Sequence, residues 1–124
     1  MDAFTTAYIE ALLWSSMATD ENGVEYESLS QFGTDDIEPE TLKKIIDDCN
    51  QFQQENKVIL AKAAELGEDD EQAGHDFALT RNRHGAGFWD RGLGEVGEQL
   101  TKAAHLFGSW YFWIENEKVC GEKG

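Results

Sequence analysis

Apolar positions near the start of the chain recur with helical spacing. Phe4, Tyr8 and Leu12 are each separated by four residues, so they fall on one face of a helix. This pattern predicts a first helix over residues 4–17. A segment rich in Asp, Glu, Ser and Gly follows over residues 19–38, and it predicts an irregular loop attached to the core by a few apolar side chains. The side chains expected to attach it are Val24, Tyr26, Leu29 and Phe32.

A second helix is predicted over residues 39–66. Pro39 suits the first position of a helix, where its missing N–H is not needed. Gly67 suits the left-handed position that follows the end of many helices. The apolar stripe between these two signals consists of Leu42, Ile45, Ile46, Cys49, Phe52, Ile59, Leu60 and Ala63.

The pattern changes over residues 75–90. Phe77 and Leu79 alternate with small or polar residues, which is typical of a β-strand. The segment therefore predicts a short β-hairpin that turns at Asn82 and Arg83.

Helical spacing returns over residues 93–107, and Gly108 is suited to ending that helix. The aromatic run 110–114 predicts a strand, and a short return strand is expected at 119–120. We expect an α+β fold in which two to three helices pack on a small antiparallel sheet.

Length and composition indicate one domain over residues 1–124, with an acidic helical half, 1–72, and a second half, 73–124, that holds the hairpin, the third helix and the terminal strands. A hydrophobic content of 40% excludes a disordered acidic tail. Cys49 and Cys120 match no metal or disulfide spacing, so we expect reduced thiols, with Cys49 in the core and neither metal nor cofactor. No apolar run approaches the roughly 18 residues of a membrane span, so no membrane partner is expected and the predicted location is the cytoplasm.

Charge is the strongest indication of function. Residues 1–72 carry 18 Asp or Glu and four Lys or Arg, a net charge of −14, whereas residues 73–124 carry seven and six, which completes the total of −15. Such a field repels nucleic acid and attracts proteins that bind nucleic acid. Carboxylates one or two helical turns apart are about 5–11 Å apart, which is comparable to phosphate spacing.

The carboxylates expected to bind a partner lie before, along and after the second helix. They are Asp35, Asp36, Glu38, Glu40, Asp47, Asp48, Glu55, Glu68, Asp69, Asp70 and Glu71. They predict a DNA mimic with no direct nucleic-acid contact. An ordinary solvated helix face remains the alternative.

Two chemical alternatives stay open. Residues 92–97 match the G-x-G-x-x-G spacing of dinucleotide-binding proteins, although the same glycines also allow close packing at a helix start. His75, His84 and Asp90 supply groups for a small hydrolase or a nucleotide-binding enzyme. A hydrogen-bonded turn whose arginines pair with the domain's own carboxylates is the competing interpretation, and a virion or assembly component is a third functional class.

The stretch TRNxHGAGFWDRG at residues 80–92 resembles a family of small acidic proteins encoded by tailed bacteriophages and prophages. Further resemblance lies in residues 8–16, 39–42, 74–77 and 100–104, and it covers nearly the whole chain. Phages encode acidic DNA mimics that block host DNA enzymes. The resemblance implies an inhibitor that acts in the host bacterial cytoplasm on an enzyme with a basic channel, with DNA gyrase as the leading candidate. The aromatic run 110–113 allows a homodimer, although a buried strand is its expected use.

Overall fold

The computed structural model describes residues 1–123, which form an α+β fold with five α-helices and two small antiparallel sheets. The α+β class is confirmed, and the number of helices exceeds the two to three predicted. The elements are α1 (Ala3–Ser15), β1 (Ala18–Thr19), β2 (Glu25–Tyr26), α2 (Pro39–Glu55), α3 (Lys57–Glu65), α4 (Asp70–Arg81), α5 (Glu95–His105), β3 (Trp110–Glu115) and β4 (Lys118–Lys123).

Helices α1 and α4 form the central pair. Asp2 caps α1, since its carboxylate accepts a hydrogen bond of 2.8 Å from the Thr5 N–H. Gly74 in α4 lies so close to α1 that a Cβ at this position would overlap the Phe4 carbonyl oxygen. Glycine therefore allows the two backbones to approach, and the predicted first helix is confirmed, with its end at Ser15.

The second predicted helix is divided in two at Asn56. This residue leaves helical geometry, with φ −115° and ψ 23°, and its side-chain Nδ2 donates to the Phe52 carbonyl oxygen at 3.0 Å. An asparagine side chain that bonds the local backbone competes with the regular helical pattern. The prediction of one continuous helix over 39–66 is therefore wrong, whereas Pro39 begins α2 as expected and Gly67 adopts φ 102°.

The predicted β-hairpin over residues 75–90 is also wrong. Its first part, residues 75–81, belongs to α4, which Asp69 caps by accepting a hydrogen bond of 2.9 Å from the Gln72 N–H. Nearly every residue from Ala73 to Arg81 is buried, so α4 has no polar face to reveal a helical period. The alternation of Phe77 and Leu79 with small residues reflects burial on all sides.

The loop 19–38 is largely irregular, as expected, but it adds backbone to both edges of the β3–β4 hairpin. Asp20 forms a bridge with Ile114, and Ile37 forms one with Val119. Leu29 is fully buried and attaches the loop to the core as predicted, with Tyr26 and Phe32 half-buried. Val24 is 52% exposed, so its predicted role as an attachment point is wrong.

The terminal elements match their prediction closely. Helix α5 is slightly shorter than the predicted 93–107, and Gly108 follows it with φ 74°. Strands β3 and β4 pair antiparallel from Trp110 opposite Lys123 to Glu115 opposite Lys118, so the return strand is longer than predicted. Trp110 and Phe112 face the core, as expected. Cys49 also lies in the core, and the centre of the core is a stack of Phe52 on Phe77 at 4.0 Å.

Candidate functional site

Helix α2 presents a mixed surface instead of a uniformly acidic one. Glu40, Asp47 and Glu55 are exposed, but Lys43 and Lys44 share the helix with them. The Lys43 ammonium lies 3.0 Å from the Asp47 carboxylate. These lysines offset most of the local negative charge, so α2 alone is a poor imitation of a phosphate strand.

Asp48 is buried, and its predicted place on the exposed acidic face is wrong. Its carboxylate accepts hydrogen bonds of 2.8 Å from Arg81 Nη1 and 2.8 Å from Lys123 Nζ. Arg81 is 1% exposed and also donates to the carbonyl oxygens of Phe107 and Gly108, at 2.8 Å each. Asp48 therefore neutralises an arginine inside the fold and is not available to a partner.

Glu68 is also buried, so its predicted place on the partner-binding surface is wrong. Burial, followed by the neighbouring Asp76 carboxylate, raises the pKa of Glu68 well above its ordinary value. A protonated Glu68 can donate a hydrogen bond to Asp76, which satisfies an oxygen that otherwise lacks a partner. Two of the eleven predicted partner-binding carboxylates thus serve the interior.

The acidic N-terminus of α4 remains on the surface. Asp69, Asp70 and Glu71 are all exposed. Negative charge at this end of a helix is favoured by the macrodipole, so these residues have a structural reason to be there. They form a separate acidic group whose presence does not require a partner.

A group of nine carboxylates from two distant parts of the chain lies along the edges and the turn of the β3–β4 hairpin. We call it the acidic rim, and it comprises Asp20, Glu21, Glu25, Glu27, Asp35, Asp36, Glu38, Glu115 and Glu117. Its first seven members come from the loop 19–38, and the last two flank the β3–β4 turn. Within these two stretches of chain none of the nine is buried, and the accompanying cation is Lys118.

Specific contacts hold the two parts of the acidic rim together. The Asn116 N–H donates to the Glu21 carboxylate at 3.1 Å, and Lys118 Nζ donates to the Asp35 carbonyl oxygen at 2.9 Å. The Glu38 N–H donates to the Val119 carbonyl oxygen at 2.8 Å. These contacts hold the backbone that carries the carboxylates in a defined conformation.

The electrostatic effect of the acidic rim is visible at Cys120, a thiol on the neighbouring strand. Burial raises the pKa of Cys120, and the charges of Glu115, Glu38 and Glu21 raise it further. Carboxylates from both parts of the acidic rim thus act on the same thiol. Sequence analysis missed six members of the rim: Asp20, Glu21, Glu25, Glu27, Glu115 and Glu117. The available signal was that residues 19–38 hold seven carboxylates and neither Lys nor Arg.

Two of the three arginines in residues 80–92 pair with the domain's own carboxylates, as the turn interpretation predicted. Arg81 meets Asp48, and Arg91 meets Asp76 through Nε at 3.1 Å and Nη2 at 2.8 Å. Asp76 is fully buried, so this two-pronged contact supplies its compensating charge. The motif joins α4 to the loop that follows it.

The structure does not join His75, His84 and Asp90 through direct contacts. Both imidazole rings contact Trp14 instead, with ring centroids 6.0 Å from it for His75 and 5.4 Å for His84. The Asp90 carboxylate accepts a hydrogen bond of 3.2 Å from the Gly87 N–H. This geometry gives no support to a hydrolytic triad.

The glycine-rich segment 92–97 serves helix packing. A Cβ on Gly97 would lie 2.7 Å from the Phe88 carbonyl oxygen, so only glycine fits the close approach there. Gly94 precedes α5 with φ 62°. Within residues 1–123, no strand of a parallel sheet directly precedes α5. The dinucleotide interpretation requires such a strand before the glycine-rich turn, so the structure does not support it.

Within residues 1–123, no group of three or more His, Cys, Asp or Glu side chains is arranged to hold a metal ion. None of the helices in that range combines the length and apolar character that crossing a membrane requires. Comparison with known proteins found no matching family model, no matching curated protein and no matching solved structure.

Proposed function

We propose that this chain is an acidic binding protein that inhibits a host DNA-binding enzyme by occupying its basic DNA channel. DNA gyrase is the leading candidate, and the site of action would be the bacterial cytoplasm. The observation that carries the proposal is the acidic rim, in which nine carboxylates from two chain segments lie along the β3–β4 hairpin, seven of them in a loop that has neither Lys nor Arg.

The acidic rim suits competition with DNA because its carboxylates follow one another along a backbone that is held by hydrogen bonds to the β3–β4 hairpin. Glu25 and Glu27 flank Tyr26 at the end of β2, both are exposed, and both line the same surface groove. Such a row can meet the lysine and arginine side chains of a DNA channel. The protein would inhibit by occupying the channel, without chemistry.

Clustered like charge lowers stability through mutual repulsion, and this cost supports a use for it. Ordinary surfaces intersperse both signs. Long-range attraction would raise the association rate with a basic partner at low salt, and the interaction should weaken as salt rises. Nine of the predicted partner-binding carboxylates are not buried. Asp35, Glu40, Asp47, Glu55, Asp69, Asp70 and Glu71 are exposed, and Asp36 and Glu38 are half-buried.

Inhibition of purified gyrase in a plasmid-supercoiling assay tests the proposal. We expect the wild-type protein to inhibit and added duplex DNA to relieve the inhibition. The combined substitutions Glu25→Gln, Glu27→Gln and Asp35→Asn should abolish most of the effect. The matched control removes three exposed carboxylates from α3 and α5 through Glu65→Gln, Glu95→Gln and Glu98→Gln, and it should retain inhibition.

A second assay covers a target other than gyrase. The protein is immobilised, bacterial lysate is applied, and bound proteins are eluted with increasing salt. A DNA enzyme that elutes with salt, is displaced by duplex DNA and fails to bind the rim variant would support the mechanism and identify the target. Equal recovery on wild-type and rim-variant protein would refute the role of the acidic rim.

A further inference from the structure

A surface groove of about 300 Å³ lies between the β1–β2 ribbon and β3. Met17, Tyr26, Tyr111 and Phe112 supply its apolar lining, and Glu25 and Glu27 also line it. Asp20, the residue directly after β1, forms a bridge with Ile114 of β3, and the groove lies beside this bridge. It therefore adjoins the acidic rim directly.

We infer that this groove binds a segment of a partner protein in which an arginine or lysine adjoins a large apolar side chain. The inference deepens the proposed function and rests on it in supposing a basic partner. The acidic rim would supply attraction over a distance, and the groove would supply a specific contact that DNA mimicry alone lacks.

The apolar part of the inference comes from exposed side chains. Met17 is 72% exposed and Tyr111 is 64% exposed, although the surrounding surface is highly charged. The Tyr111 ring lies 6.1 Å from the Trp113 ring, so the aromatic surface continues along the strand. Contiguous apolar surface rimmed by polar groups is characteristic of binding sites.

The cationic part of the inference comes from charge complementarity. Glu25 and Glu27 line the groove, and neither lysine nor arginine does. The Tyr26 and Tyr111 rings offer faces on which a guanidinium or ammonium group can lie. An apolar side chain flanked by a cation would thus satisfy both the rings and the carboxylates.

A second copy of this chain fits the groove poorly. A symmetric contact would bring Glu25 and Glu27 close to their counterparts on a molecule that also carries a net charge of −15. The homodimer that the 110–113 run allows would face this repulsion. A basic partner segment has the opposite and favourable charge.

Fluorescence polarisation with labelled peptides tests the inference at physiological salt. The probe is a short peptide of alternating arginine and leucine, compared with one in which serine replaces leucine and one in which glutamate replaces arginine. We expect the arginine–leucine peptide to bind at least about tenfold more tightly than either of the others, because only it offers both charge and apolar area.

Two variants locate the binding. Met17→Ser combined with Tyr111→Ser should remove the preference for leucine over serine. The control, Val58→Ser combined with Leu66→Ser, removes two exposed apolar side chains from the region of α3 and should keep that preference. Circular dichroism establishes that both variants fold, and NMR shift changes in the wild-type protein should concentrate at Met17, Tyr26 and Tyr111.

Several results would overturn the inference. These are equal affinity for the leucine and serine peptides, an unchanged preference in the groove variant, or shift changes remote from the groove. Concentration-dependent dimerisation that Tyr111→Ser abolishes would assign the groove to a second copy. If the groove substitutions leave enzyme inhibition unchanged, the role of the acidic rim stands and the role of the groove is refuted. If the peptides bind as expected but the protein does not inhibit the enzyme, the groove stands as a binding site and the DNA-channel proposal is refuted.

Discussion

Replacing Asp48 with asparagine separates the structural role of this residue from the partner-binding role suggested by its sequence position. The substitution keeps the shape of the side chain and removes the charge that neutralises Arg81, which is 1% exposed. Breaking a buried ion pair on one side costs about 3–5 kcal/mol. The carbonyl oxygens of Phe107 and Gly108 still accept from Arg81, and Lys123 can turn to water, so we expect about 3 kcal/mol.

Urea unfolding followed by tryptophan fluorescence measures this loss, since the Trp110 ring lies 5.7 Å from the Arg81 guanidinium carbon. For a chain of this size, a loss of about 3 kcal/mol should lower the melting temperature by roughly 10 °C. The matched control is Asp47→Asn, the adjacent residue, whose side chain is 60% exposed and pairs with Lys43 on the surface. Its cost should stay below about 0.5 kcal/mol.

The two substitutions remove the same formal charge from neighbouring positions, so they differ chiefly in burial. An equal and small loss of stability in both variants would refute the buried-pair reasoning. At temperatures where Asp48→Asn remains folded, its binding to a basic partner should match that of the wild-type protein. A selective loss of binding with unchanged stability would restore Asp48 to the partner surface.

Three further predictions concern stability. Because burial and Asp76 raise the pKa of Glu68 from 4.5 to about 8, the folded protein should lose stability as pH rises through that window. In urea titrations, Glu68→Gln should therefore make the free energy of unfolding less dependent on pH and raise it by on the order of 2 kcal/mol at the upper end of that window. A variant with the same pH dependence as the wild-type protein would exclude this role for Glu68. Arg83 has φ 55°, so Arg83→Gly should raise the melting temperature by relieving about 1 kcal/mol of strain, whereas Arg83→Ala should not. Gly97→Ala should destabilise by about 1–3 kcal/mol in thermal unfolding because its methyl group meets the Phe88 carbonyl oxygen, and full stability would show that α5 can shift away.

The sequence determined those features whose causes are local. Four-residue apolar spacing produces α1, proline begins α2, and the alternating aromatic run from Trp110 produces β3. Each depends on a residue's own backbone preference or on neighbours within one or two turns. The excess of carboxylates is likewise a property of composition.

Tertiary structure decided which polar groups enter the core. Helix α4 is surrounded by protein on nearly every side, which erases the periodicity that would have identified it. Asp47 and Asp48 are adjacent and chemically alike, yet one is on the surface and the other pairs with an arginine from 33 residues away. The acidic rim arises because the loop 19–38 lies along the β3–β4 hairpin. Such partners are distant along the chain, so no local pattern records them, and only packing brings their charges together.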